Sequence, residues 1–521
     1  MASSSRDDFT PHALVVPYSA PYGSAGHVVG SMLLAQSLTD HGFKVSFILF
    51  STCYVKLQEM GTLLPFKISG EEGDPSFQRP PKLQQMNTQL PLTISEAMGG
   101  PSFASATRSF YGGSCGGTGR MCIHVVEDNL TPDEIHKFFY VNAAMKENLY
   151  QLIVELQEQG LPPTCLISDS FVPWTLPIAQ CAGIPRVEFW TSNAMSHLLY
   201  CNIAPLYSEG IFPIKGKEET PLMLSHIPGL PPFSAELVPG ELRFVDSSDY
   251  FAQFFMQVAS CVKYGERILV HSMAELELNP FESFKVQGIP AYAVGPLGHT
   301  KKQETALTDC ITWLDLQAES SVIYVAFGSF AKFSLKDMQE LAMGLEASGS
   351  PFVWVILEDS YRKEELPQVL PDGFIERTRG KGLFVNWAPQ VEVLAHRAVG
   401  GFLSHCGWNS TLESLWMGVP MLCCPHYAEQ RLNCHYICDV WGVGLELGRV
   451  HGEIERRFVK LGVRALLQGD EGAKARSKTQ EIMHLARKTC QQGGHSFTNL
   501  QKFYEDMRAL CAEQSSHVAP K

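Results

Sequence analysis

The sequence predicts an α/β protein with mainly parallel sheets, and three observations lead to this prediction. Short apolar runs alternate along the chain with segments of helical hydrophobic spacing. The order strand, turn, helix, strand occurs near the N-terminus and again in the second half, and this order builds parallel sheets. Of the 521 residues, 45% are hydrophobic and only 18% are charged, which is enough apolar material for two large cores.

The first half of the chain begins with the apolar run Ala13–Val16, which we expect to be a buried strand. A helix over Val28–Leu38 and a strand over Lys44–Leu49 complete one βαβ unit. Two further strands are predicted at Thr164–Ile167 and Pro185–Trp190, with a helical stretch between them. These elements predict an N-terminal parallel sheet.

The second half repeats this arrangement. Ser321–Phe327 has the pattern of a buried strand, and Leu335–Ala347 has the pattern of a helix. The later predicted elements are three short strands and a final amphipathic helix: Phe352–Leu357, Leu383–Asn386, Gly400–Ser404 and Phe497–Gln514.

A segment rich in proline and glycine, Asn279–Thr305, separates the two sets of elements and is typical of a linker. We therefore divide the chain into four parts: an N-terminal domain (1–285), a linker (286–305), a C-terminal domain (306–490) and a terminal helix (491–521). The Gly/Ser-rich stretch Gly99–Gly119 is expected to be a surface loop.

Charge and hydropathy exclude several classes of partner. The formal net charge is −13 and basic residues do not cluster, which argues against a nucleic-acid-binding protein. The N-terminus has neither the basic nor the apolar region of a signal peptide, and no apolar stretch reaches the length of a membrane span. We expect a cytoplasmic monomer without an integral membrane segment.

The chain has 15 cysteines, an odd number without a regular framework, which favours reduced thiols. The closest pairs, such as Cys434 with Cys438, lack the C-x-x-C spacing of a zinc site, so we expect no metal. No Asp-x-Asp pair occurs that would hold a cation on a diphosphate.

The segment from Trp387 to Gln430 is the most informative part of the chain. A strand ends at Ser404, a tight turn follows at His405–Trp408, and a helix opens at Asn409. Free backbone N–H groups at such a strand-to-helix turn form an anion site suited to a diphosphate. His405, Asn409 and Ser410 would add side-chain donors.

Taken one at a time, these residues have simpler interpretations. Ser410 and Glu413 have the spacing of a helix capping box, which needs no ligand. A single buried histidine or tryptophan usually belongs to the core, and Glu429 and Gln430 could be an ordinary solvated pair.

Taken together, the 44 residues resemble the signature box of plant family 1 UDP-glycosyltransferases in order and spacing. Further similarity lies in Trp313–Asp315, Tyr324–Ser329, Leu370–Phe374 and Gly493–Phe503. The resemblance implies the GT-B fold, in which two Rossmann-like domains with parallel sheets face each other across a cleft.

The resemblance also implies roles for the residues of the box. Trp387 would stack on the uracil while the Ala388 backbone pairs with its edge, and Gln390 and Glu413 would hold the ribose. The expected diphosphate ligands are His405, Asn409, Ser410 and Ser329, and the expected sugar ligands are Trp408, Glu429 and Gln430. A flat aromatic suits a base, and a carboxylate suits a vicinal diol.

Glu429 departs from the family, which most often has Asp before the final Gln. The carboxylate is kept on a stem one methylene longer. Gln430 is similar to the glucose-using majority, so UDP-glucose is the expected donor, with UDP-galactose and UDP-xylose as alternatives.

In the N-terminal half, Gly26-His27 resembles the family's catalytic Gly-His, although about four extra residues separate the strand end from His27. Ser168-Asp169 resembles the strand end that carries the partner carboxylate, and capping of the following helix is the alternative for Asp169. Thr191 is a candidate donor-sugar contact.

The resemblance implies an inverting, metal-independent transfer without a cofactor, in which His27 deprotonates an acceptor hydroxyl. We expect the acceptor to be a small lipophilic molecule of phenolic, flavonoid, terpenoid or hormone type. The non-enzyme alternative is a catalytically silent nucleotide-sugar binder.

Overall fold

The structure is a computed structural model. It describes most of the chain outside the region between residues 51 and 142. The described ranges are 10–18, 25–50, 107–111, 120–126, 143–214, 222–225, 227–243, 247–262, 267–298, 309–328, 333–356, 369–450 and 452–518. The predicted loop Gly99–Gly119 falls largely outside these ranges, as do Ser329 and the residues directly before the first helix.

Within the described part of the chain, the N-terminal half forms an eight-stranded sheet of order β10-β9-β6-β5-β1-β2-β4-β3. Neighbouring strands run parallel except β3 and β4, which are antiparallel. The strands are β1 His12–Val16, β2 Lys44–Phe50, β3 Thr107–Tyr111, β4 Arg120–Val126, β5 Cys165–Asp169, β6 Arg186–Trp190, β9 Arg267–Val270 and β10 Ala291–Ala293. A separate two-stranded ribbon pairs β7 Met223–Leu224 with β8 Phe233–Ser234.

The C-terminal half forms a six-stranded parallel sheet of order β13-β12-β11-β14-β15-β16 in its described residues. The strands are β11 Val322–Ala326, β12 Phe352–Val355, β13 Gly382–Val385, β14 Val399–Ser404, β15 Met421–Cys423 and β16 Gly444–Glu446. A short antiparallel ribbon pairs β17 Arg449–Val450 with β18 Glu453–Ile454.

Helices cover both sheets. In the N-terminal half they are α1 Ala25–Asp40, α2 Ala143–Glu158, α3 Thr175–Ala182, α4 Ala194–Cys201, α5 Ile203–Ser208, α6 Gly240–Arg243, α7 Tyr250–Val262 and α8 Leu278–Val286, with a 3₁₀ turn at Ala235–Leu237. The later helices are α9 Asp309–Asp315, α10 Leu335–Ser348, α11 Phe374–Arg377, α12 Gln390–Ala395, α13 Trp408–Met417, α14 Gln430–His435, α15 Arg456–Gln468, α16 Asp470–Thr489 and α17 His495–Val518, with a π-helical turn at Tyr436–Val440.

The predicted α/β class with two parallel sheets is confirmed, and the predicted strands and helices occur within a few residues of their expected ends. Central strands such as β1, β5 and β11 are buried along their whole length. Burial on both faces explains why they appear in the sequence as unbroken apolar runs.

The structure differs from the predicted linker at its start. Ala291–Ala293 pairs in parallel with β9 as the edge of the N-terminal sheet, and α8 occupies the first residues of the proline-rich segment. The strand was not predicted because its three residues, which lie between Pro290 and Gly295, are too few to show a hydrophobic pattern.

The last helix, α17, packs on the N-terminal half. Its Phe503, Tyr504 and Met507 join the core that contains Phe47, and Tyr504 Oη lies 2.8 Å from Ser37 Oγ. Among the described residues, no helix has both the length and the apolar character needed to cross a lipid bilayer.

Candidate active site

His27 and Asp169 meet although 142 residues separate them. His27 lies in the first turn of α1, and Asp169 is the last residue of β5. His27 Nδ1 lies 2.7 Å from Asp169 Oδ2. Because β1 and β5 are parallel neighbours, the helix that follows β1 begins beside the carboxyl end of β5. The pairing predicted for these two residues is present.

The Asp169 carboxylate is held in place on both of its oxygens. Oδ1 accepts a 2.8 Å hydrogen bond from the Phe171 backbone N–H, while Oδ2 faces His27. The Asp169 side chain is fully buried, whereas a fifth of the His27 side chain remains exposed. This arrangement places the Nδ1 proton between the two residues and leaves Nε2 of the imidazole as the group that can accept a proton.

The electrostatics of this pair favour a protonatable base. Burial opposes the imidazolium form of His27, but the charge and hydrogen bond of Asp169, with a smaller effect from Glu429, outweigh burial and raise the His27 pKa above its usual value. Thr191 Oγ1 also lies 3.0 Å from His27 Nδ1. Thr191 therefore touches the base itself, and its predicted contact with the donor sugar stays a prediction.

His405 has the opposite environment. It follows β14, is 8% exposed, and its Nδ1 has no hydrogen-bond partner among the described residues. Burial, with a smaller effect from His426, lowers the His405 pKa to about 3, so the imidazole is neutral. A neutral imidazole offers one N–H, which suits a phosphate oxygen.

Two glycines make room for the His405 ring. A Cβ on Gly328 would lie 2.7 Å from His405 Nε2, and a Cβ on Gly407 would lie 2.4 Å from the same atom. Gly328 also has φ of +70°, which side-chain-bearing residues rarely adopt. The end of β11 and the turn after β14 therefore clasp the imidazole with backbone on both sides.

Gln390 joins the two helices of the predicted nucleotide site. Its Nε2 donates to Ser410 Oγ at 2.9 Å and to Glu413 Oε2 at 2.6 Å, and its Oε1 accepts from Tyr324 Oη at 3.2 Å. The network places Gln390 beside Glu413, as a shared ribose site requires. Burial, and less strongly Glu392, raises the Glu413 pKa to about 7 against the opposing hydrogen bond from Gln390.

The capping-box interpretation of Ser410 and Glu413 is wrong. The helix α13 begins at Trp408, and its N-cap is Gly407 in an extended conformation. Ser410 is therefore the third helical residue, and its hydroxyl accepts from Gln390. The first backbone N–H groups of α13 remain oriented for an anion.

Trp387 is 46% exposed, which is unusual for so large an aromatic, and its neighbour Ala388 is buried. The exposed indole offers a flat face for stacking. Trp408, in contrast, is only 4% exposed, and its indole N–H donates to the His271 carbonyl at 2.7 Å. A sugar contact from Trp408 therefore has to come from its backbone.

Among the contacts between the halves, two involve residues of the predicted donor box and lie close to His27 or its neighbours. Asn409 Nδ2 donates to the Gly26 carbonyl at 2.9 Å, directly before His27. Ser192 Oγ donates to Glu429 Oε1 at 2.9 Å. The predicted donor box and the predicted base therefore belong to one site. Because the Asn409 amide nitrogen donates to Gly26, a phosphate contact from Asn409 would use its backbone N–H. The Asn409 Oδ1 has no hydrogen-bond partner among the described residues.

Gln430 supports the loop before α14. Its Oε1 accepts from the backbone N–H groups of His426 and Tyr427 at 2.9 Å and 3.3 Å. Gln430 is 4% exposed, so this support is given from a buried position.

An aromatic cluster lies beside His27, and the sequence analysis did not predict it. Phe171 is its centre and lies 5.1 Å from the His27 ring, between centroids. The other rings around Phe171 belong to Tyr18, Trp190, Tyr200, Phe254 and Phe255. Apart from the adjacent residues Phe254 and Phe255, the rings come from separate segments of the chain. Spacing along the sequence therefore does not reveal the cluster.

Similarity to known structures agrees with this architecture. UGT2 of Phytolacca americana, solved with UDP-2-fluoro-glucose and pterostilbene, superposes with a TM-score of 0.72 at 26% sequence identity, covering 95% of this chain and 99% of that one. The two-domain arrangement with its cleft is the GT-B fold.

Sequence relatives show the family. Residues 249–451 match the family model described as UDP-glucoronosyl and UDP-glucosyl transferase. UDP-glycosyltransferase 85A3 of Arabidopsis thaliana is 31% identical over 92% of both chains. The 7-deoxyloganetin glucosyltransferase of Gardenia jasminoides is 34% identical over 66% of this chain and 74% of its own length. The chain belongs to plant family 1 of the UDP-glycosyltransferases, enzymes that act on small plant metabolites.

Proposed function

We propose that this protein transfers glucose from UDP-glucose to a hydroxyl of a small apolar acceptor, with inversion at the anomeric carbon. The observation that carries the proposal is the contact of Asn409 with Gly26, because it sets the donor box against the turn that bears His27. Base and donor site then share one cleft.

The chemical step is a single displacement. His27 Nε2 takes the proton of the acceptor hydroxyl, the hydroxyl oxygen forms a bond to the anomeric carbon, and the bond from that carbon to the β-phosphate oxygen breaks. Attack from the face opposite UDP converts the α-linked donor into a β-glucoside. Asp169 stabilises the imidazolium that forms, and the N–H groups of α13 with His405 stabilise the leaving diphosphate.

Two residues support glucose as the sugar. Glu429 and Gln430 are neighbours at the start of α14, and a carboxylate next to an amide suits the hydroxyls of a hexose. Glu429 keeps the carboxylate of the aspartate usual in the family on a longer stem, and its Oε1 accepts a hydrogen bond from Ser192 Oγ. UDP-galactose and UDP-xylose are the competing donors.

The aromatic cluster around Phe171 supports a flat, apolar acceptor. The ring centroids of Tyr18 and Phe171 lie 5.2 Å and 5.1 Å from that of His27. An acceptor whose hydroxyl is within reach of His27 therefore has the rest of its molecule against aromatic surface. Aromatic faces favour planar rings such as those of phenolics, and they also accept terpenoid skeletons.

A screen of donors against acceptors, with the mass of each product, tests the proposal. We expect a mass gain of one hexose with UDP-glucose and a phenolic or terpenoid alcohol, and a β-anomeric proton signal in the product. An α-linked product would contradict inversion, and a faster reaction with UDP-galactose or UDP-xylose would contradict the donor. UDP binding without any product across the screen would favour the silent nucleotide-sugar binder.

A further inference from the structure

Three cysteines far apart in the sequence meet in the core of the C-terminal half. The Sγ atoms of Cys406, Cys423 and Cys434 all lie within 4.8 Å of one another. The residues come from the turn after β14, from the end of β15 and from α14. All three are buried, with exposures of 0%, 0% and 3%.

A fourth thiol lies beside these three. Cys438 is on the π-helical turn, four residues after Cys434 on the same side of the helix, and its thiol is within hydrogen-bonding reach of Cys423 and Cys434. We call Cys406, Cys423, Cys434 and Cys438 the thiol cluster. Cys438 lies outside the group of three whose sulfurs are all within 4.8 Å of one another, so it would have to move closer to complete the four ligands of a closed structural zinc site.

The thiol cluster belongs to the apolar core of the C-terminal half, where Cys406, Cys423 and Cys434 are core members and Cys438 packs against them. Its neighbours in the core are apolar, including Ile437, Leu412 and Val443. Sulfurs of a tetrahedral zinc–thiolate centre are about 3.7 Å apart, given zinc–sulfur bonds of about 2.3 Å. The Sγ atoms of Cys406, Cys423 and Cys434 would therefore have to move closer to one another by about 1 Å or less to reach this geometry.

We propose that the thiol cluster binds one soft divalent cation, Zn²⁺, and that the ion fastens the diphosphate-binding turn to α14. Each coordinating thiol gives up its proton to solvent as its sulfur binds the ion. This site lies outside the transfer chemistry and does not depend on the identity of the donor or the acceptor.

The position of Cys406 explains what the ion would do. Cys406 stands between His405 and Gly407 in the turn, and its backbone has φ of +66°, which is strained for a residue with a side chain. Its carbonyl accepts a 2.8 Å hydrogen bond from Asn433 Nδ2 on α14. A cation shared by Cys406 and Cys434 would hold the same two elements together and stabilise this conformation.

The cluster could not be found by motif spacing. The intervals between its members are 17, 11 and 4 residues, and only the last pair shares a local element. The expectation of no metal rested on the absence of C-x-x-C pairs, whereas the sheet order places β14 beside β15 and brings the thiols together.

Metal content tests the proposal directly. The full chain is produced in zinc-supplemented medium, purified without chelator, and measured by inductively coupled plasma mass spectrometry. We expect about one zinc ion per chain in the wild type and a large loss in Cys434→Ala. Cys424→Ala is the matched control, since Cys424 adjoins Cys423 but packs in the core on the opposite face of the sheet. It should keep its zinc.

A second measurement covers the case in which Cys434→Ala folds poorly. Cells grown with cadmium should yield wild-type protein with an ultraviolet sulfur-to-cadmium charge-transfer band, and Cys434→Ser, which keeps the side-chain volume, should lack it while retaining the wild-type circular dichroism. A wild type with no zinc and no cadmium band overturns the proposal. So does equal metal content in wild type and Cys434→Ser, or an intact mass that shows a disulfide within the cluster.

Discussion

Two histidines on opposite sides of the cleft show how one side chain takes two roles. His27 is paired with a buried carboxylate, and its pKa is raised. His405 has no acidic partner among the described residues, and burial lowers its pKa to about 3. His27 is therefore the stronger base of the two, whereas His405 stays neutral and can donate one hydrogen bond. Their environments, and not their identities, suit His27 to the proposed role of base and His405 to the proposed role of phosphate ligand.

The largest expected effect is the removal of the base. His27→Ala should lower the turnover number by about 10²–10⁴-fold, the usual contribution of a general base, while UDP still binds. Initial rates and calorimetric titration with UDP measure the two quantities. The control is His484→Ala, since His484 is exposed on α16. Normal turnover in His27→Ala would remove His27 from the mechanism.

Removing the charge of Asp169, the partner of His27, has the second largest expected effect. Asp169→Asn should lower turnover by about 10²-fold, because the imidazolium loses its counter-charge. It should also move the pH profile. Because the His27 pKa is raised above 6.5 and the neutral imidazole is the base, activity should increase with pH as His27 loses its proton. Loss of the Asp169 charge lowers the His27 pKa, so this rising limb of the pH profile should move to lower pH. A profile of kcat/KM against pH measures this, and an unmoved limb would show that Asp169 does not tune the base.

His405 should respond differently from His27. His405→Gln should weaken UDP binding by about 10–100-fold, the usual range for a hydrogen bond to a charged group. The pH limb of the remaining activity should stay where it is, because His405 does not titrate near neutral pH. Titration calorimetry and the pH profile give both results. A moved limb would contradict the division of roles between the two histidines.

Glu413 should have a smaller effect, which depends on pH, on the affinity for the nucleoside part of the donor. Its pKa is raised to about 7, and ribose hydroxyls bind best to the carboxylate form. Affinity for uridine, which has no phosphate to titrate, should therefore rise as pH increases, by at most about tenfold between about pH 6 and pH 8. Glu413→Gln should bind uridine more weakly and without this dependence. A flat wild-type profile would argue against Glu413 as a ribose ligand.

The smallest expected effect concerns the contact between the domains. Ser192→Ala removes the hydrogen bond to Glu429 and should raise KM for the UDP-sugar by about 2–10-fold, the usual net contribution of one intramolecular hydrogen bond, because Ser192 positions Glu429 and does not itself bind the donor. Ser208→Ala is the control, since Ser208 is exposed and bonds only locally. An unchanged KM would mean that Glu429 holds its position without Ser192.

The sequence by itself determined the fold class and the donor side of the site. The strands and helices have strong local patterns, and Trp387 to Gln430 is one continuous segment whose residues lie on adjacent elements. Local spacing is enough there because β14, α13 and the start of α14 follow one another in chain order.

Only the tertiary structure decided the remaining features. It paired His27 with Asp169, surrounded Phe171 with aromatic rings, and brought the thiols of Cys406, Cys423 and Cys434 together. Each of these depends on contacts between elements that lie far apart in the chain. Such contacts follow from the strand order of a parallel sheet, and that order is not written in the spacing of residues within any one element.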